Sequence, residues 1–445
     1  MTNPDLLITG ATLPDGARAD ILVEGTRISA VGQGLNSASA TKIDADGLIA
    51  LPGLVDLHTH LREPGYEQSE TVLTGTQAAA LGGFTSVFAM ANTLPVADTA
   101  GVVEQVLRLG DEAGYATVRP IGAVTKGLEG LQLAELGAMA NSRAAVRVFS
   151  DDGKCVFDPL IMRRALEYVK TFGGVIAQHA QEPRLTVDAQ MNEGEVSARL
   201  GLAGWPAVAE ESIIARDVLL AEHTGSRLHI CHLSTAGSVD VIRWAKKRGI
   251  NVTAEVTPHH LLLTDECAES YDARYKVNPP LRRTEDVMAL RDALADGTID
   301  IVATDHAPHP VESKDCEWGA AAFGMVGLES ALAVVQTTMI ETGLMGWNDV
   351  ARVLSETPAR IGGLNTHGQK IQPGVQAELV LVDPSIRRNF GIEDLASLSH
   401  NSPYLGVELA GQVVTTIHQG YLTAADKQVV DSSIVSASAL EVSRG

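Results

Sequence analysis

Residues 55–65 read VDLHTHLREPG and carry two histidines and an arginine at every second position. Alternate side chains of a β-strand point to the same face, which would place His58 and His60 together. Asp56 and Arg62 would share that face. Two imidazoles so placed can bind one metal ion, and a guanidinium beside them suits an anionic substrate. The stretch is interpreted either as a hydrolytic metal site or as a polar strand whose histidines make only local hydrogen bonds.

Eight apolar, strand-like runs follow one another along the chain, at residues 55–60, 85–90, 116–124, 145–150, 175–179, 228–232, 252–256 and 299–304. Amphipathic segments at residues 159–172, 211–223, 238–248 and 284–295 predict helices between them. Eight such alternating units predict a (β/α)8 barrel, a closed parallel sheet enclosed by helices. A doubly wound open sheet is the alternative, but no G-x-G-x-x-G follows an early strand.

The two ends of the chain have a different sequence pattern, with short strand-like runs between Gly-, Pro- and Asp-containing turns. At the start these runs are 6–9, 20–23, 28–31 and 41–43, and near the end they are 377–382 and 413–418. We expect residues 1–52 and 364–445 to pair into one small composite β-sandwich beside a barrel formed by residues 53–363. The Ser- and Ala-rich last dozen residues are expected to be a loose tail.

Composition describes an ordinary soluble globular protein of 445 residues, with 45% hydrophobic and 20% charged residues. Its net charge of -21 argues against nucleic acid or an anionic membrane as a partner. No signal peptide or membrane-spanning apolar run is evident. The four cysteines form no C-x-x-C pair, so a disulfide framework or thiolate zinc site is not expected. A reducing, cytoplasmic location fits best. These cysteines are Cys155, Cys231, Cys267 and Cys316.

Chemistry in a barrel takes place at the C-terminal ends of the strands, so the residues that end each run are the candidates. Five of the eight runs end in His or Asp, and these side chains suit zinc or a similar divalent ion. They exceed one tetrahedral site, so two ions bridged by a carboxylate are conceivable. The candidates are His58 and His60, Asp151 or Asp152, His179, His232, and Asp305. His259, His260 and His306 are interpreted as structural.

Two motifs now carry a resemblance to a family. D-x-H-x-H-x-R-x-P-G at 56–65 and A-T-D-x-A-P-H-x-x-x-x-K at 303–314 resemble the two signatures of dihydroorotases, which belong to the amidohydrolase superfamily of metal-dependent (β/α)8 barrels. The resemblance covers essentially the whole chain and is strongest to the class I bacterial enzymes. One departure is Ala91, which stands where a proline usually precedes the asparagine.

The resemblance implies one or two zinc ions per subunit. His58 and His60 would bind the first ion, and His179 and His232 the second. Asp152 would bridge the two, with Asp151 as the alternative. Asp305 would bind the first ion and act as general acid and base. Many relatives bridge with a carboxylated lysine, but Lys154 follows the Asp-Asp-Gly turn, which favours the aspartate.

The reaction implied by the resemblance is the reversible cyclisation of N-carbamoyl-L-aspartate to L-dihydroorotate in pyrimidine biosynthesis. Arg62, Asn92 and His309 would hold the substrate carboxylate beside His60. Asn278 and the backbone of Phe323 and Gly324 would hold the ring amides, and residues 310–322 could close over the site. A homodimer and association with aspartate transcarbamoylase are further expectations.

Two alternatives stay open. Another cyclic amidase, an allantoinase or hydantoinase, is disfavoured by the bridging aspartate and by Arg62 with Asn92. An inactive dihydroorotase-like partner of aspartate transcarbamoylase is disfavoured because all six metal ligands are present.

Overall fold

The structure, a computed structural model, describes residues 5–430. The predicted loose tail lies outside these residues. The strands are β1 (Leu6–Thr12), β2 (Arg18–Glu24), β3 (Arg27–Gly32), β4 (Thr41–Asp44), β5 (Ile49–Pro52), β6 (Leu54–Thr59), β7 (Phe84–Ala89), β8 (Thr117–Pro120), β9 (Val148–Phe149), β10 (Val175–Gln178), β11 (Met191–Asn192), β12 (Gly204–Trp205), β13 (Arg227–Ile230), β14 (Val252–Val256), β15 (Ile301–Val302), β16 (Leu379–Asn389), β17 (Glu408–His418), β18 (Tyr421–Ala425) and β19 (Gln428–Val429).

The helices are α1 (Val72–Leu81), α2 (Ala100–Ala113), α3 (Leu136–Asn141), α4 (Pro159–Lys170), α5 (Glu195–Leu200), α6 (Val208–Thr224), α7 (Ala236–Lys247), α8 (Pro258–Leu262), α9 (Thr284–Asp296), α10 (Val311–Lys314), α11 (Ala331–Val335), α12 (Trp347–Ala351) and α13 (Thr357–Gly362). Wider π-type turns continue two of them, at Gln336–Ile340 and Arg352–Glu356. The four amphipathic helices expected from the sequence are confirmed as α4, α6, α7 and α9. No helix within residues 5–430 is long and apolar enough to cross a membrane.

Eight parallel strands form the central α/β layer. One sheet has the order β6-β7-β8, and a second has the order β15-β14-β13-β10-β9. Single parallel bridges join the two sheets at both junctions, between Gly122 and Phe149 and between Thr59 and His306. The hydrogen-bonded ladder is therefore reduced to one bridge at each of these two places.

These strands are buried on both faces, as parallel strands covered by helices must be. Val175 and Ala177 belong to a cluster that also contains residues from the neighbouring strands, such as Val148 and Ile301. Ile176, between them in β10, instead packs in the large cluster that includes the helices. Alternate residues of a strand thus divide between the interior of the strand layer and the helix-covered face.

A bulge in β6 breaks this alternation at the first candidate motif. Asp56 lies opposite Val87, and Thr59 lies opposite Ala89, so three steps along β6 match two along β7. Val87 and Ala89 both pack in the helix-facing cluster. The expectation that Asp56 shares a face with the histidines is wrong, because the extra residue shifts the register between them.

The terminal segments build a separate, nine-stranded sheet. Its order is β19-β18-β17-β16-β5-β1-β2-β3, with β4 parallel to β1. The two chain ends meet where β5 pairs antiparallel with β16, from Leu379 opposite Pro52 to Val382 opposite Ile49. This sheet has a hydrophobic cluster of its own, drawn from both segments.

Several predicted strands are shorter in the structure. The run at 116–124 gives only Thr117–Pro120, that at 145–150 gives Val148–Phe149, and that at 299–304 gives Ile301–Val302. The apolar residues beyond them, such as Ile121 and Val124, are buried in the loops that follow these strands, where they pack in hydrophobic clusters. Burial rather than strand pairing accounts for their apolar character.

Candidate active site

The six predicted metal ligands converge at the C-terminal ends of the parallel strands, and we refer to His58, His60, Asp152, His179, His232 and Asp305 as the metal-binding cluster. His60 Nε2 lies 3.1 Å from an Asp305 oxygen and 3.3 Å from Asp152 Oδ2. His58 Nε2 lies 3.4 Å from one oxygen of each of these carboxylates. These two histidines and Asp152 form a group that could hold a metal ion.

The other two histidines also face the Asp152 carboxylate. His179 Nδ1 and His232 Nε2 each lie 3.4 Å from Asp152 Oδ1, and 2.9 Å from each other. They form a second group with Asp152. Asp152 is thus shared between two histidine pairs, as a bridging carboxylate must be.

The geometry and burial of the cluster fit divalent metal ions. Ligands about 2.1 Å from a tetrahedral zinc ion are about 3.4 Å apart, which is close to most of these separations. His58 Nε2 is fully buried and has no hydrogen-bond partner, although it faces two carboxylates. Burial raises the pKa of Asp152, but His58, His179 and His232 lower it more, so that it stays well below its usual value. The cluster is therefore built to hold ionised carboxylates against a positive charge.

Asp151 points away from this cluster. Its Oδ1 accepts hydrogen bonds from the backbone N–H groups of Val124, at 2.8 Å, and Thr125, at 2.9 Å. Its other oxygen accepts from the Thr125 hydroxyl. Of the two adjacent aspartates, only Asp152 reaches the histidines. Asp151 instead holds the loop after β8 in place.

Glu255, on β14, orients the cluster from below and is absent from the sequence predictions. It accepts from His58 Nδ1 at 2.6 Å, from His229 Nε2 at 2.9 Å and from the backbone N–H of His232 at 3.2 Å. Burial raises the pKa of Glu255, but the neighbouring His58 and His229 lower it by a larger amount, so that it is about 2. The only signal in the sequence is an acidic residue inside the apolar run 252–256. Glu255 also forms a metal-capable group with His58 and Cys231.

Two amide side chains set the orientation of other ligands. Asn92 Oδ1 accepts from His60 Nδ1 at 2.9 Å. Gln181 Oε1 accepts from His179 Nε2 at 2.8 Å and from Asn278 Nδ2 at 3.2 Å. Gln181 was missed because nothing in its local sequence distinguishes it from a loop residue. Hydrogen bonds of this kind fix which imidazole nitrogen faces a metal.

A cleft opens above the cluster. Arg62 extends along its wall, with Nε donating to the Pro308 carbonyl at 3.1 Å and Nη2 lying 3.4 Å from His309 Nε2. Nε2 of His309 lies 2.8 Å from the Phe323 carbonyl. The part of the guanidinium beyond Nε is thus directed toward the cleft. Lining residues are Arg62, Tyr66, Gln68, Ser69, Asn92, Leu128, Asp152, Gly153, Lys154, His309, Pro310 and Ser313.

Three predicted substrate contacts lie outside that lining. The N–H of Gly324 donates to the Lys276 carbonyl at 2.9 Å, and its own carbonyl accepts from Lys314 Nζ at 2.8 Å. The Phe323 carbonyl accepts a hydrogen bond from His309 Nε2. Asn278 Oδ1 is buried without a hydrogen-bond partner. Asn278 thus offers a buried acceptor without a partner, whereas the carbonyls of Phe323 and Gly324 already accept hydrogen bonds.

The backbone adopts the left-handed conformation at three candidate residues, none of them glycine. The φ angles are 63° at Arg62, 34° at His232 and 48° at Asp305. Such strain is retained where the surroundings impose it, and it is concentrated at functional sites. It turns each of these side chains just after the end of its strand.

The three histidines interpreted as structural, His259, His260 and His306, are all buried. His306 Nδ1 accepts from the backbone N–H of Gly327 at 3.2 Å, and His260 Nδ1 lies 2.8 Å from the Thr257 hydroxyl. Both therefore hold local structure. His259 Nε2 is buried with no hydrogen-bond partner, and burial lowers the pKa of His259 to about 4.

Comparison with known proteins places this arrangement in a family. The sequence model of a family described as Dihydro-orotase-like matches residues 47–238. The chain is 74% identical to the dihydroorotase of Leifsonia xyli subsp. xyli over 97% of this chain and 99% of that protein. It is 54% identical to the dihydroorotase of Mycobacterium tuberculosis over 93% and 97% of the two chains.

Solved structures of the same architecture include an L-hydantoinase from Arthrobacter aurescens. The TM-score is 0.85 at 25% identity, covering 97% of this chain and 98% of that one. A dihydropyrimidinase from Brevibacillus agri shares the fold, with a TM-score of 0.81 at 24% identity and 96% coverage of both chains. The identity over nearly the full length of curated relatives is decisive: the chain is an enzyme of the dihydroorotase family.

Proposed function

We propose that this chain is a metal-dependent dihydroorotase that interconverts N-carbamoyl-L-aspartate and L-dihydroorotate. The observation that carries the proposal is the position of Asp152, shared by two histidine pairs at the mouth of a cleft walled by Arg62. A carboxylate shared by two histidine pairs suits metal-assisted hydrolysis of an amide. An arginine in the wall of the cleft suits a substrate that carries a carboxylate.

His58, His60, Asp152 and Asp305 would hold a first zinc ion, and His179 and His232 a second one bridged by Asp152. When bound, such ions lower the pKa of water and polarise an amide carbonyl. The number of ions, one or two per subunit, and zinc as the native metal belong to this proposal. The donor set of imidazole nitrogens and carboxylate oxygens supports zinc.

Asp305 is assigned the proton transfers. Its carboxylate is buried beside His60 and His58, which hold its pKa below the usual range despite burial. It is therefore ionised and able to accept a proton from the attacking water during ring opening. The same group would return that proton to the ring nitrogen as the amide bond breaks, and ring closure reverses both steps.

Arg62 is assigned the substrate carboxylate. Its Nε is occupied by Pro308, so the terminal nitrogens can present two parallel N–H donors to an anion in the cleft. Asn92 and His309 adjoin it along the wall. Asn278, with its unpartnered oxygen, would accept a ring N–H, whereas the Phe323 carbonyl and the Gly324 backbone would have to release protein partners first.

For the fold, we infer a closed (β/α)8 barrel at residues 53–363, with residues 1–52 and 364–445 forming the flanking β unit. The two single bridges between the parallel sheets support closure. A homodimer and association with aspartate transcarbamoylase belong to the same proposal, and a cytoplasmic location is inferred from the cysteine pattern. Sedimentation of the purified protein, alone and mixed with aspartate transcarbamoylase, tests the homodimer and the association.

The deciding experiment compares ring opening of dihydroorotate, hydantoin and allantoin by the purified enzyme, before and after chelation and with zinc restored. We expect turnover of dihydroorotate alone, lost on chelation and recovered with zinc. Activity confined to hydantoin or allantoin would overturn the substrate assignment. Protein without bound zinc and without turnover of any of the three would instead indicate a structural partner.

A further inference from the structure

A separate cluster of metal-binding side chains lies near the opposite ends of the parallel strands. We call it the basal cluster, and it consists of His367, Glu378 and His418. His367 follows α13, Glu378 directly precedes β16 and His418 ends β17. The carbonyl of Glu378 accepts from the N–H of Gly53, the residue before β6, at 2.9 Å. The cluster therefore adjoins the N-terminal end of β6, whose C-terminal end carries the candidate active site.

The three side chains are buried together. Their residues are only 4%, 5% and 6% exposed, in chain order. His418 Nδ1 lies 2.8 Å from Glu378 Oε2, and His367 Nε2 lies 3.7 Å from Glu378 Oε1. The two imidazole rings are 6.1 Å apart. One carboxylate is thus flanked by two histidines, each facing a different oxygen.

Hydrogen bonding accounts for one of these histidines but not for the other. His418 donates to Glu378, which also accepts from the backbone N–H of Gln419 at 3.2 Å. His367 Nε2 is buried and makes no hydrogen bond, while Nδ1 lies 3.1 Å from the Thr366 hydroxyl. Burial lowers the pKa of His367, although Glu378 and the main chain of Thr85 act in the opposite direction.

When Nδ1 of a neutral His367 donates to Thr366, Nε2 presents its lone pair toward a carboxylate oxygen of Glu378. Two electron-rich atoms facing each other in a buried site repel, and a cation between them makes both favourable. At 3.7 Å they are too far apart for a hydrogen bond. They are close to the separation of about 3.4 Å expected for two ligands of one tetrahedral zinc ion.

We propose that His367, Glu378 and His418 bind a second kind of metal ion in this protein, a structural zinc or similar divalent cation. Two imidazole nitrogens and one carboxylate oxygen are a zinc donor set, and three protein ligands leave one coordination position free. Binding would displace the proton that now joins His418 to Glu378. The site contributes no group to the cleft, so it has no part in the reaction.

The role of this ion would be to fasten the C-terminal segment to the base of the strand layer. Its three ligands come from the loop after α13 and from two antiparallel strands of the terminal sheet. An ion held by all three would stabilise the junction between the nine-stranded terminal sheet and the parallel strands, because the free energy of metal binding at such a site adds to the free energy of folding. Residues at this end of a barrel contribute to stability rather than to catalysis.

Anomalous diffraction at the zinc edge, from crystals of the wild-type holoenzyme grown with zinc, locates the ion directly. We expect a peak about 2.1 Å from His367 Nε2, separate from the peaks at the metal-binding cluster. The latter act as an internal control for zinc loading. Zinc at the metal-binding cluster together with no peak at the basal cluster would overturn the proposal.

Two variants test the same point in solution. Glu378→Gln keeps an oxygen that can accept from His418, so its fold is preserved, and His367→Leu removes the unpartnered nitrogen. We expect each to lose about one zinc equivalent and to melt at a lower temperature, with kcat/KM within about twofold of wild type. His223→Gln, which alters an exposed histidine of α6, should keep the full zinc content. If His367→Leu retains all its zinc, or melts no lower than wild type, the basal cluster is only packing.

Discussion

Glu255 Oε1 lies 2.6 Å from His58 Nδ1, on the side of the ring opposite the metal-binding cluster. This contact fixes the tautomer of His58, because Nδ1 carries the proton that it donates to Glu255. A nitrogen that carries a proton cannot bind a metal. The other nitrogen, Nε2, is left facing Asp152 and Asp305. Glu255 is thus a positioning residue for the candidate metal site, 197 residues from the histidine it holds.

Replacing Glu255 with Gln should weaken metal binding without removing a ligand. The amide has one acceptor oxygen, whereas the carboxylate now accepts three N–H groups. We expect zinc affinity to fall by about 10- to 100-fold, as for other residues that orient metal-bound histidines. Activity at saturating zinc should recover much of the loss. Titration of metal-free protein with zinc measures this, and Glu266→Gln at the surface is the control. Equal zinc affinity in both variants would show that Glu255 has no such role.

The neighbouring aspartates should behave differently when each is changed to Asn. Asp152→Asn removes the carboxylate that both histidine pairs share, so zinc content and activity should fall together. Asp151→Asn leaves the cluster intact but removes an acceptor for the Thr125 hydroxyl. It should lower the melting temperature and keep the zinc. Metal analysis beside thermal unfolding separates the two effects, and zinc loss from Asp151→Asn instead would reverse the assignment.

The convergence of the six ligands was predictable from the sequence because each follows an apolar run that reads as a buried strand. What the sequence could not supply was the direction of each side chain. The bulge between Asp56 and Thr59 reverses the faces, so strict alternation groups Asp56 with His58 wrongly. In the structure the Asp56 carboxylate instead accepts from the backbone N–H of Thr304, just after β15, at 3.0 Å.

Residues that act through distant partners were also beyond the sequence. Asn401 joins two loops of the site, since its Oδ1 accepts from the His309 N–H at 3.1 Å and its Nδ2 donates to the Gly324 carbonyl at 3.2 Å. It lies 92 residues from His309 in the chain. Nothing local marks such a residue, because its role depends on how the C-terminal segment returns to the strand layer.

Arg62→Lys tests recognition of the substrate carboxylate. Lysine keeps the positive charge but cannot offer two parallel N–H donors, and it loses the contact with Pro308. A charged hydrogen bond contributes about 1.5–3 kcal/mol, so kcat/KM should fall by about 10- to 100-fold. The loss should lie mainly in KM. The exposed Arg108→Lys is the matched control, and an unchanged KM in Arg62→Lys would place the carboxylate elsewhere.

Asp305→Asn tests the proton transfers. The amide is close in size but cannot accept and return a proton at neutral pH. We expect kcat to fall by about 10²- to 10⁴-fold in both directions of the reaction, the range attributed to general acid–base catalysis. Zinc content must be measured alongside, since Asp305 also adjoins His58 and His60. A variant with full zinc and near-normal kcat would assign the proton to another group.

Lys314 connects the predicted lid, residues 310–322, to the site. Its buried Nζ donates to the carbonyls of Ala322 and Gly324, both at 2.8 Å, and of Lys276 at 3.2 Å. Burial, reinforced by the nearby Lys276, lowers its pKa from 10.5 to about 7. The unfolded chain therefore binds more protons than the folded one between about pH 7 and 10.5. Stability should rise with pH across that window.

Lys314→Met removes this titration together with three hydrogen bonds. We expect a less stable segment 310–322, faster hydrogen exchange there, and a flatter increase of stability between pH 7 and 9 than in wild type. Urea unfolding at each pH supplies the comparison, with the exposed Lys247→Met as the control. If segment 310–322 serves as a lid, kcat/KM falls as well. A pH profile of stability identical to wild type would show that Lys314 does not titrate in this range.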